Sequence, residues 1–329
     1  MAYTTIDDPE AYFQTVVYTG NLSAGHAITL DGDTNMQPDL CWFGNRETVY
    51  PKEMYDSARG VGKRLTSEGT AIESDEVGLT AFSSDGFTVG TRNQTNQSGK
   101  SIVARCWKES ATAGFDMVLY IGNGTDDTDI SHNLSATPNL IMVKNRDAED
   151  AWQVYHHKNT SAPETDYLVL DTNAATVDAA DRWSDEVPTS SVFTLGDADE
   201  VNTNTENYIA YCFAEKQGFS KFGSYEGNGN ADGAFVYTGF RPAFVMTKSV
   251  DSTSAWHMFD NKRSGYNPDN NAIEADTTAI EATTDQIDIL SNGFKCRITT
   301  DPNVAETYVY MAFAEAPFVN SNGVPCNAR

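Results

Sequence analysis

The sequence predicts an all-β protein made of three tandem β-sandwich-like modules of about 100 residues each. Three observations lead to this prediction: an internal repeat, strand-like runs that are apolar on both faces, and turns rich in glycine and asparagine between those runs. The chain has 329 residues, which is long enough for three such modules. The sequence leaves open whether they form beads on a string or a compact pseudo-threefold cluster.

The repeat consists of six landmarks that recur in the same order. Each copy begins with Tyr-x-Gly-Asn, continues with a proline that opens an apolar run, and has an aromatic residue 17 positions after that proline. A Ser-x-x-Phe segment follows, then a strand-like run that ends in an aromatic residue, and an acid two positions later. The closing aromatic residues and their acids are Trp107 with Glu109, Phe213 with Glu215, and Phe313 with Glu315.

The landmarks divide the chain into five parts. We predict an N-terminal arm (1–12), three β modules (13–110, 111–217 and 218–319) and a C-terminal tail (320–329). The module boundaries lie where small residues interrupt the pattern.

The closing strand of each module is predicted to be buried on both sides. In module 2, strand alternation separates Ile209, Tyr211 and Phe213 on one face from Tyr208, Ala210 and Cys212 on the other. Because both faces are apolar, we expect a central strand of a sheet that is covered on each side.

Composition and charge exclude several classes of function. The chain holds 22 Lys and Arg against 47 Asp and Glu, a formal net charge of −25. This charge repels phosphates and anionic lipid heads, so we expect neither nucleic acid nor a membrane as a partner. No apolar run is long enough for a membrane helix, and the first residues lack the apolar stretch of a secretory signal.

The cysteines indicate a reducing compartment. There are five, with no C-x-x-C pair, and four lie in apolar or strand-like stretches. We expect reduced cysteines buried in the core of a protein made in a cytoplasm.

The sequence carries no motif for catalysis or for a cofactor, and we predict that the protein is not an enzyme. Nucleophile motifs and phosphate-binding loops are absent from the sequence, and the histidines lack metal-ligand spacing. The acids Glu109, Glu215 and Glu315 recur once per module, whereas an active site is usually asymmetric. We therefore interpret them as a structural feature.

One segment opens like a calcium-binding loop. Asp31, Asp33 and Asn35 supply alternating oxygens, but Met36 stands where such a loop needs glycine and Trp42 where it needs glutamate. These three residues are weak metal candidates, and a polar hairpin turn is the favoured interpretation.

The candidate glycan contacts lie in module 2. Trp183 has no counterpart in the repeat and lies in an acidic stretch with Asp181 and Asp185. An aromatic face flanked by carboxylates can hold a sugar, so these residues are glycan-binding candidates. For Trp183 itself, a role in anchoring its loop is the favoured interpretation.

Several segments resemble one family. They are the opening Met1–Pro9, then Tyr18–Asn21, Tyr55–Gly60, Tyr208–Glu215, Phe222–Gly229 and Phe235–Pro242. They are similar to segments of structural proteins of tailed phages of aquatic bacteria, in which concanavalin-like (jelly-roll-like) β modules are repeated. The resemblance covers nearly the whole chain and implies a virion component of the tail-fibre type, with no catalytic residue.

Module 1 departs from the other two modules. Lys52 stands where they have Trp152 and Trp256, and Arg105 stands where they have Tyr211 and Met311. We predict that Lys52 and Arg105 contribute to an interface with another virion protein.

The expected function is that of a phage structural protein, on a tail fibre, a spike or the capsid surface, assembled in the host cytoplasm. Its expected partners are other virion proteins, copies of itself in a homo-oligomer such as a trimer, and host-surface polysaccharide. Two alternatives remain: a non-catalytic carbohydrate-binding protein and a polysaccharide depolymerase.

Overall fold

The computed structural model describes residues 2–263, 267 and 271–326. The described strands form six antiparallel sheets, and each sheet draws its strands from a single predicted module. Each module pairs one large sheet with one small sheet, which confirms the all-β fold of three sandwich-like units. Of the predicted arm and tail, Met1 and residues 327–329 lie outside the described residues.

Module 1 begins after a 3₁₀ turn at Pro9–Ala11. Its large sheet has the order β1-β9-β3-β4-β5-β6 and its small sheet the order β2-β8-β7. The elements are β1 (Phe13–Thr19), β2 (His26–Ile28), β3 (Leu40–Asn45), β4 (Glu53–Asp56), β5 (Lys63–Thr66), β6 (Ser74–Asp75), β7 (Leu79–Ser83), β8 (Gly86–Val89), the single helical turn α1 (Asn93–Asn96) and β9 (Ser101–Trp107).

Module 2 repeats this arrangement. Its large sheet has the order β10-β17-β12-β13-β14-β15, and its small sheet pairs β11 with β16. The elements are β10 (Phe115–Ile121), β11 (Thr128–Ser131), β12 (Leu140–Asn145), β13 (Gln153–His156), a 3₁₀ turn (Pro163–Thr165), β14 (Asp166–Val169), β15 (Val177–Asp178), β16 (Val192–Leu195), the helical turn α2 (Asp199–Asn202) and β17 (Asn207–Phe213).

Module 3 follows the same order, with a large sheet β18-β25-β20-β21-β22 and a small sheet β19-β24-β23. The elements are β18 (Ser220–Glu226), β19 (Phe235–Tyr237), β20 (Phe240–Ser249), β21 (His257–Asp260), β22 (Ile273–Glu274), β23 (Ile287–Leu290), β24 (Gly293–Cys296) and β25 (Thr307–Pro317). In every module the closing strand lies between the first and third strands of its large sheet.

Each module buries a core of its own between its two sheets, and the outer faces of the three large sheets meet in a common core. Ile209, Tyr211 and Phe213 lie in this shared core, which includes residues of all three modules. Tyr208, Ala210 and Cys212 lie in the core of module 2. The predicted division of faces is confirmed, and the modules form a compact cluster.

The closing aromatic residues of the repeat meet at the centre of the shared core. Trp107 lies 6.4 Å from Phe213 and 5.7 Å from Phe313, and Phe213 lies 5.9 Å from Phe313, between ring centroids. All three pairs are edge-to-face, an arrangement that adds to the stabilisation from buried area. One aromatic side chain from each module therefore joins the three modules.

The tyrosine and the glycine of the Tyr-x-Gly-Asn landmark contact the backbone of the loop before each closing strand. Tyr120 donates a hydrogen bond to the carbonyl of Val201 (2.8 Å), and Tyr225 donates one to Pro302 (2.7 Å). A Cβ atom on Gly122 would clash with the carbonyl oxygen of Thr203, so only glycine fits this close approach. The same roles recur in the other copies, which explains why the landmark is repeated.

The shared core yields a prediction about stability. Replacing Phe313 by alanine removes a fully buried ring from the centre, and we expect a loss of about 3–5 kcal/mol in the free energy of unfolding. Denaturant unfolding measures this loss. The matched control Phe235→Ala truncates a half-exposed ring in the small sheet of module 3, and its effect should stay within about 0.5 kcal/mol. Equal effects of the two substitutions would contradict a shared core.

Candidate functional site

The modules meet across three seams, which we call seam 1–2, seam 2–3 and seam 3–1 after the modules that they join. Equivalent backbone hydrogen bonds cross each seam. They run from Glu73 N to Arg146 O (2.9 Å), from Thr176 N to Val250 O (3.0 Å) and from Glu281 N to Arg46 O (3.0 Å). The modules therefore close a ring with pseudo-threefold repetition of contacts.

A lysine ammonium crosses every seam to an acceptor on the neighbouring module. Lys144 donates to Thr70 O (3.1 Å), and Lys248 donates to Asn173 O (3.4 Å). In module 1 the position of these lysines is Gly44, and Lys52, which directly precedes β4, supplies the ammonium instead, 2.7 Å from Ala279 O.

Lys52 is therefore not at a virion interface. Its side chain is fully buried at seam 3–1, and burial lowers the pKa of the ammonium to about 8. The prediction that it lies on a surface was wrong because its partner comes from a module 227 residues further along the chain.

The prediction for Arg105 was wrong for the same reason. Arg105 is fully buried and donates to Asp260 Oδ2 at 3.0 Å across seam 3–1. Burial lowers the pKa of its guanidinium to about 10 in spite of Asp260. At seam 1–2 the equivalent Tyr211 donates to Asp56 Oδ2 at 2.6 Å. Arg105 thus occupies an internal position from which modules 1 and 2 each donate a hydrogen bond to a neighbouring module, whereas Met311 fills it in module 3.

Two seams are closed by a glutamate between two arginines. Glu73 accepts from Arg59 (3.2 Å) and Arg146 (2.9 Å) at seam 1–2. Glu281 accepts from Arg263 (3.0 Å) and Arg46 (2.8 Å) at seam 3–1. Burial alone would raise the pKa of Glu281, but the hydrogen bond from Arg46 and the charge of Arg263 outweigh it, so the pKa is lowered.

Seam 2–3 has no such triad among its described residues. Asn159, Thr176 and Val250 occupy the positions that hold Arg59, Glu73 and Arg146 at seam 1–2. Shorter side chains leave a groove of about 620 Å³, which we call the open-seam groove. Its lining from both modules includes Asn159, Thr160, Thr176, Ser224, Val250 and Asp251.

Asn159 is the most constrained polar residue of the groove. It is 3 % exposed, and its Oδ1 accepts a hydrogen bond from Thr176 Oγ1 at 2.6 Å. In the part of the chain that the structure describes, its Nδ2 is buried without a hydrogen-bond partner. A residue that lines the groove therefore has an unused donor.

His156 holds seam 2–3 together close to this groove. It stands where the other modules have Asp56 and Asp260, and its Nε2 lies 3.1 Å from Tyr310 O. Its Nδ1 accepts from the backbone N–H of Lys158 (3.1 Å), so the proton belongs on Nε2, which donates to Tyr310. Burial lowers the pKa of His156 to about 3.

The predicted glycan-binding residues do not line this groove. Trp183 is 1 % exposed and packs edge-to-face on Tyr155 at 5.9 Å in the core of module 2. The ring therefore does not face a ligand, and its burial agrees with the favoured anchoring interpretation. Asp181 is exposed and pairs with Arg182 (2.7 Å), and Asp185 is also exposed.

The sequence does contain a signal for the groove. Asn159, Thr176 and Val250 stand at positions that hold Arg, Glu and Arg at each of the other two seams.

The calcium-loop candidates lie in a segment that connects β2 and β3, which belong to different sheets, so the segment is not a hairpin. Asp31 pairs with Lys262 (3.0 Å), and the backbone N–H of Asp33 donates to Glu10 Oε2 (2.7 Å). Asn35 follows in the same loop. Across residues 2–263, 267 and 271–326, no group of three or more His, Cys, Asp or Glu is placed to hold a metal ion.

A second cleft, of about 310 Å³, lies at seam 3–1 beside the chain ends, and Glu315 lines it. Glu315 pairs with Arg241 at 2.6 Å. At the other seams the equivalent acids accept from the first strand of the next module: Glu109 from Met117 N (3.0 Å) and Glu215 from Phe222 N (3.4 Å). Glu109 and Glu215 thus each make a contact that links neighbouring modules.

Cys41, Cys106, Cys212 and Cys296 are buried and free, as predicted, and Cys326 is free and exposed. Within the described residues, no helix is long and apolar enough to cross a membrane.

The arrangement of three modules corresponds to one family. Residues 8–317 match the family described as a domain of unknown function, DUF7483. The chain belongs to this family. The matched region contains all three modules, so DUF7483 corresponds to the complete ring rather than to one sandwich. Curated proteins contain no significant match to the chain.

The buried triads yield a prediction about seam strength. Glu281→Gln removes the charge between Arg46 and Arg263, and we expect the free energy of unfolding to fall by about 1.5–3 kcal/mol, because the partly buried Arg46 loses its carboxylate partner while the buried Arg263 keeps Asp260. The matched control Glu47→Gln breaks an exposed pair with Lys100 and should cost no more than about 1 kcal/mol. Denaturant unfolding of both variants decides the matter, and a small loss for Glu281→Gln would contradict the role of the triad.

His156 yields a prediction about pH. The folded state holds it neutral, with a pKa of about 3 against an ordinary value of about 6.5, so its contribution is present above pH ~6.5 and is lost as the pH falls toward 3. We expect His156→Gln to be relatively more stable at low pH, by up to about 1.4 kcal/mol per pH unit across this interval. Chemical unfolding at several pH values measures the difference. The control His26→Gln replaces a partly exposed histidine of module 1, and the prediction fails if both variants show the same pH dependence.

Proposed function

We propose that the protein is a structural component of a tailed-phage particle, carried on a tail fibre, a spike or the capsid surface. The observation that carries this proposal is the closed ring of three sandwiches around one aromatic core. Such a ring is a rigid building block, because no module can move without exposing part of the shared core. The resemblance of the repeated segments to phage structural proteins supports the same role.

The geometry also suits a position on an axis of a particle. One chain supplies three similar faces around a centre, as three identical subunits of a symmetric trimer would. The formal net charge of −25 favours solubility and disfavours non-specific association with nucleic acid in the host cytoplasm. Assembly with other virion proteins and into a homo-oligomer belongs to this proposal.

A carbohydrate-binding protein without a virion role is the second candidate, and the open-seam groove favours it. A polysaccharide depolymerase has less support, because Glu109 and Glu215 are engaged by backbone N–H groups of the next module. A depolymerase would release reducing ends from a polysaccharide, and we expect none from this protein.

The virion role predicts a fixed place on particles. In phage particles purified on a density gradient, we expect the protein at a constant copy number relative to the major capsid protein, measured by quantitative mass spectrometry. Immunogold labelling of the same particles should mark one position. A replication protein of the same phage is the control and should be absent from the gradient band. Recovery of the protein only from the unassembled fraction of the lysate would refute the virion role.

A further inference from the structure

We propose that the open-seam groove is a binding site for a neutral oligosaccharide. This inference deepens the proposed function, since it names what a protein on a particle surface would hold. It can nevertheless fail or succeed independently, because a soluble carbohydrate-binding protein would use the same groove.

Pseudo-threefold repetition shows that the groove is a specific opening. The same position is filled by Arg59, Glu73 and Arg146 at seam 1–2 and by a second triad at seam 3–1. At seam 2–3 all three members are replaced, and Ser224 stands where Leu119 lies at seam 1–2. Three positions that hold an ion triad at the other seams thus carry uncharged side chains at seam 2–3, and a fourth carries serine where the other seams have Leu119 and Val17.

The unused donor of Asn159, a residue that lines the groove, points to a ligand. Asn159 is 3 % exposed, its Oδ1 is engaged by Thr176, and its Nδ2 has no partner within the described residues. A buried donor without an acceptor is costly, because it has lost its hydrogen bonds to water. An oxygen of a bound molecule would remove this cost, so Asn159 favours a ligand that carries hydrogen-bond acceptors.

The remaining lining specifies the chemistry of that ligand. The hydroxyl of Ser224 can donate and accept, whereas the hydroxyls of Thr160 and Thr176 already donate to Asp166 and Asn159 and offer a sugar hydroxyl only an acceptor oxygen. Asp251 accepts from Thr307 N (2.7 Å) through one carboxylate oxygen and leaves the other oxygen for a ligand hydroxyl. Val250 adds an apolar surface for the C–H groups of a sugar ring.

Charge distinguishes a neutral sugar from an anionic one. Lys158 is the single cation among the described lining residues, Asp251 opposes it, and the whole chain carries a formal net charge of −25. An anionic polysaccharide would be repelled over the surrounding surface. The groove volume of about 620 Å³ lies within the usual range for small-ligand sites, which suits a short oligosaccharide.

The test introduces residues of the closed seam 1–2 at the equivalent positions of the open-seam groove. The double variant Thr176→Glu, Val250→Arg introduces the residues that seam 1–2 has at these positions, and the single variant Ser224→Leu introduces the leucine. The matched control Leu119→Ser makes the reverse change at the closed seam 1–2. Thermal unfolding of each variant verifies that the fold is retained.

The full-length protein and its variants are applied to an array of neutral oligosaccharides from dextran, laminarin and mannan, with alginate oligosaccharides as the anionic set. We expect saturable binding to a neutral glycan, little dependence on salt, and at least a tenfold loss in Ser224→Leu and in the double variant. Leu119→Ser should bind like the parent protein.

Three outcomes would overturn the inference: no binding to any neutral glycan, preference for alginate, or binding that survives both groove-filling variants in folded protein. None of these affects the presence of the protein in purified particles, so the virion role is judged separately. If the protein is absent from particles and still binds a neutral glycan through the groove, the inference stands and the virion role falls.

Discussion

The contact among Trp107, Phe213 and Phe313 is the constraint on which the rest of the structure depends. For one ring from each module to meet within 6.4 Å, the three large sheets must converge with their outer faces toward each other. Those faces are then buried, and they must be apolar in addition to the inner faces of the sandwiches. This explains why the closing strands are apolar on both sides. A single module would expose the apolar outer face of its large sheet to water.

Around this centre, the same kinds of hydrogen-bond donor cross each seam even where different residues supply them. Each seam receives an ammonium from one module, but in module 1 Lys52, just before β4, supplies it because Gly44 replaces the lysine of the other modules. The indole N–H behaves in the same way. Trp152 donates directly to Thr66 O, whereas Trp42 reaches module 3 through the hydroxyl of Ser67. A buried carbonyl at a seam needs a donor, and the position of that donor in sequence is free to change.

These exchanges define what the sequence could predict. The repeat and the two-faced closing strand follow from local periodicity, and both were predictable from residues such as Ile209 and Tyr208. Lys52 and Arg105 were misplaced on the surface because a departure from a repeat has the same appearance whether its partner is another protein or a distant module. Trp183 was a glycan candidate because of its acidic neighbours, which are exposed, but its own ring turns into the core. The open-seam groove depends on which positions face each other across seam 2–3, and no single module contains that information.

The ring also explains why one seam can differ from the others. Two ion triads stabilise seams 1–2 and 3–1, while seam 2–3 retains the Trp256 indole bond to Val169 O (2.9 Å), the Lys248 ammonium and the His156 bond to Tyr310. The ring stays closed when one seam lacks the ion triad, because the shared core and the other two seams still fix the positions of the modules. Loss of the triad at seam 2–3 therefore opens a groove without opening the ring. In a pseudo-symmetric protein, the place where symmetry is broken by several residues together is the place where a specific function can develop without cost to the fold.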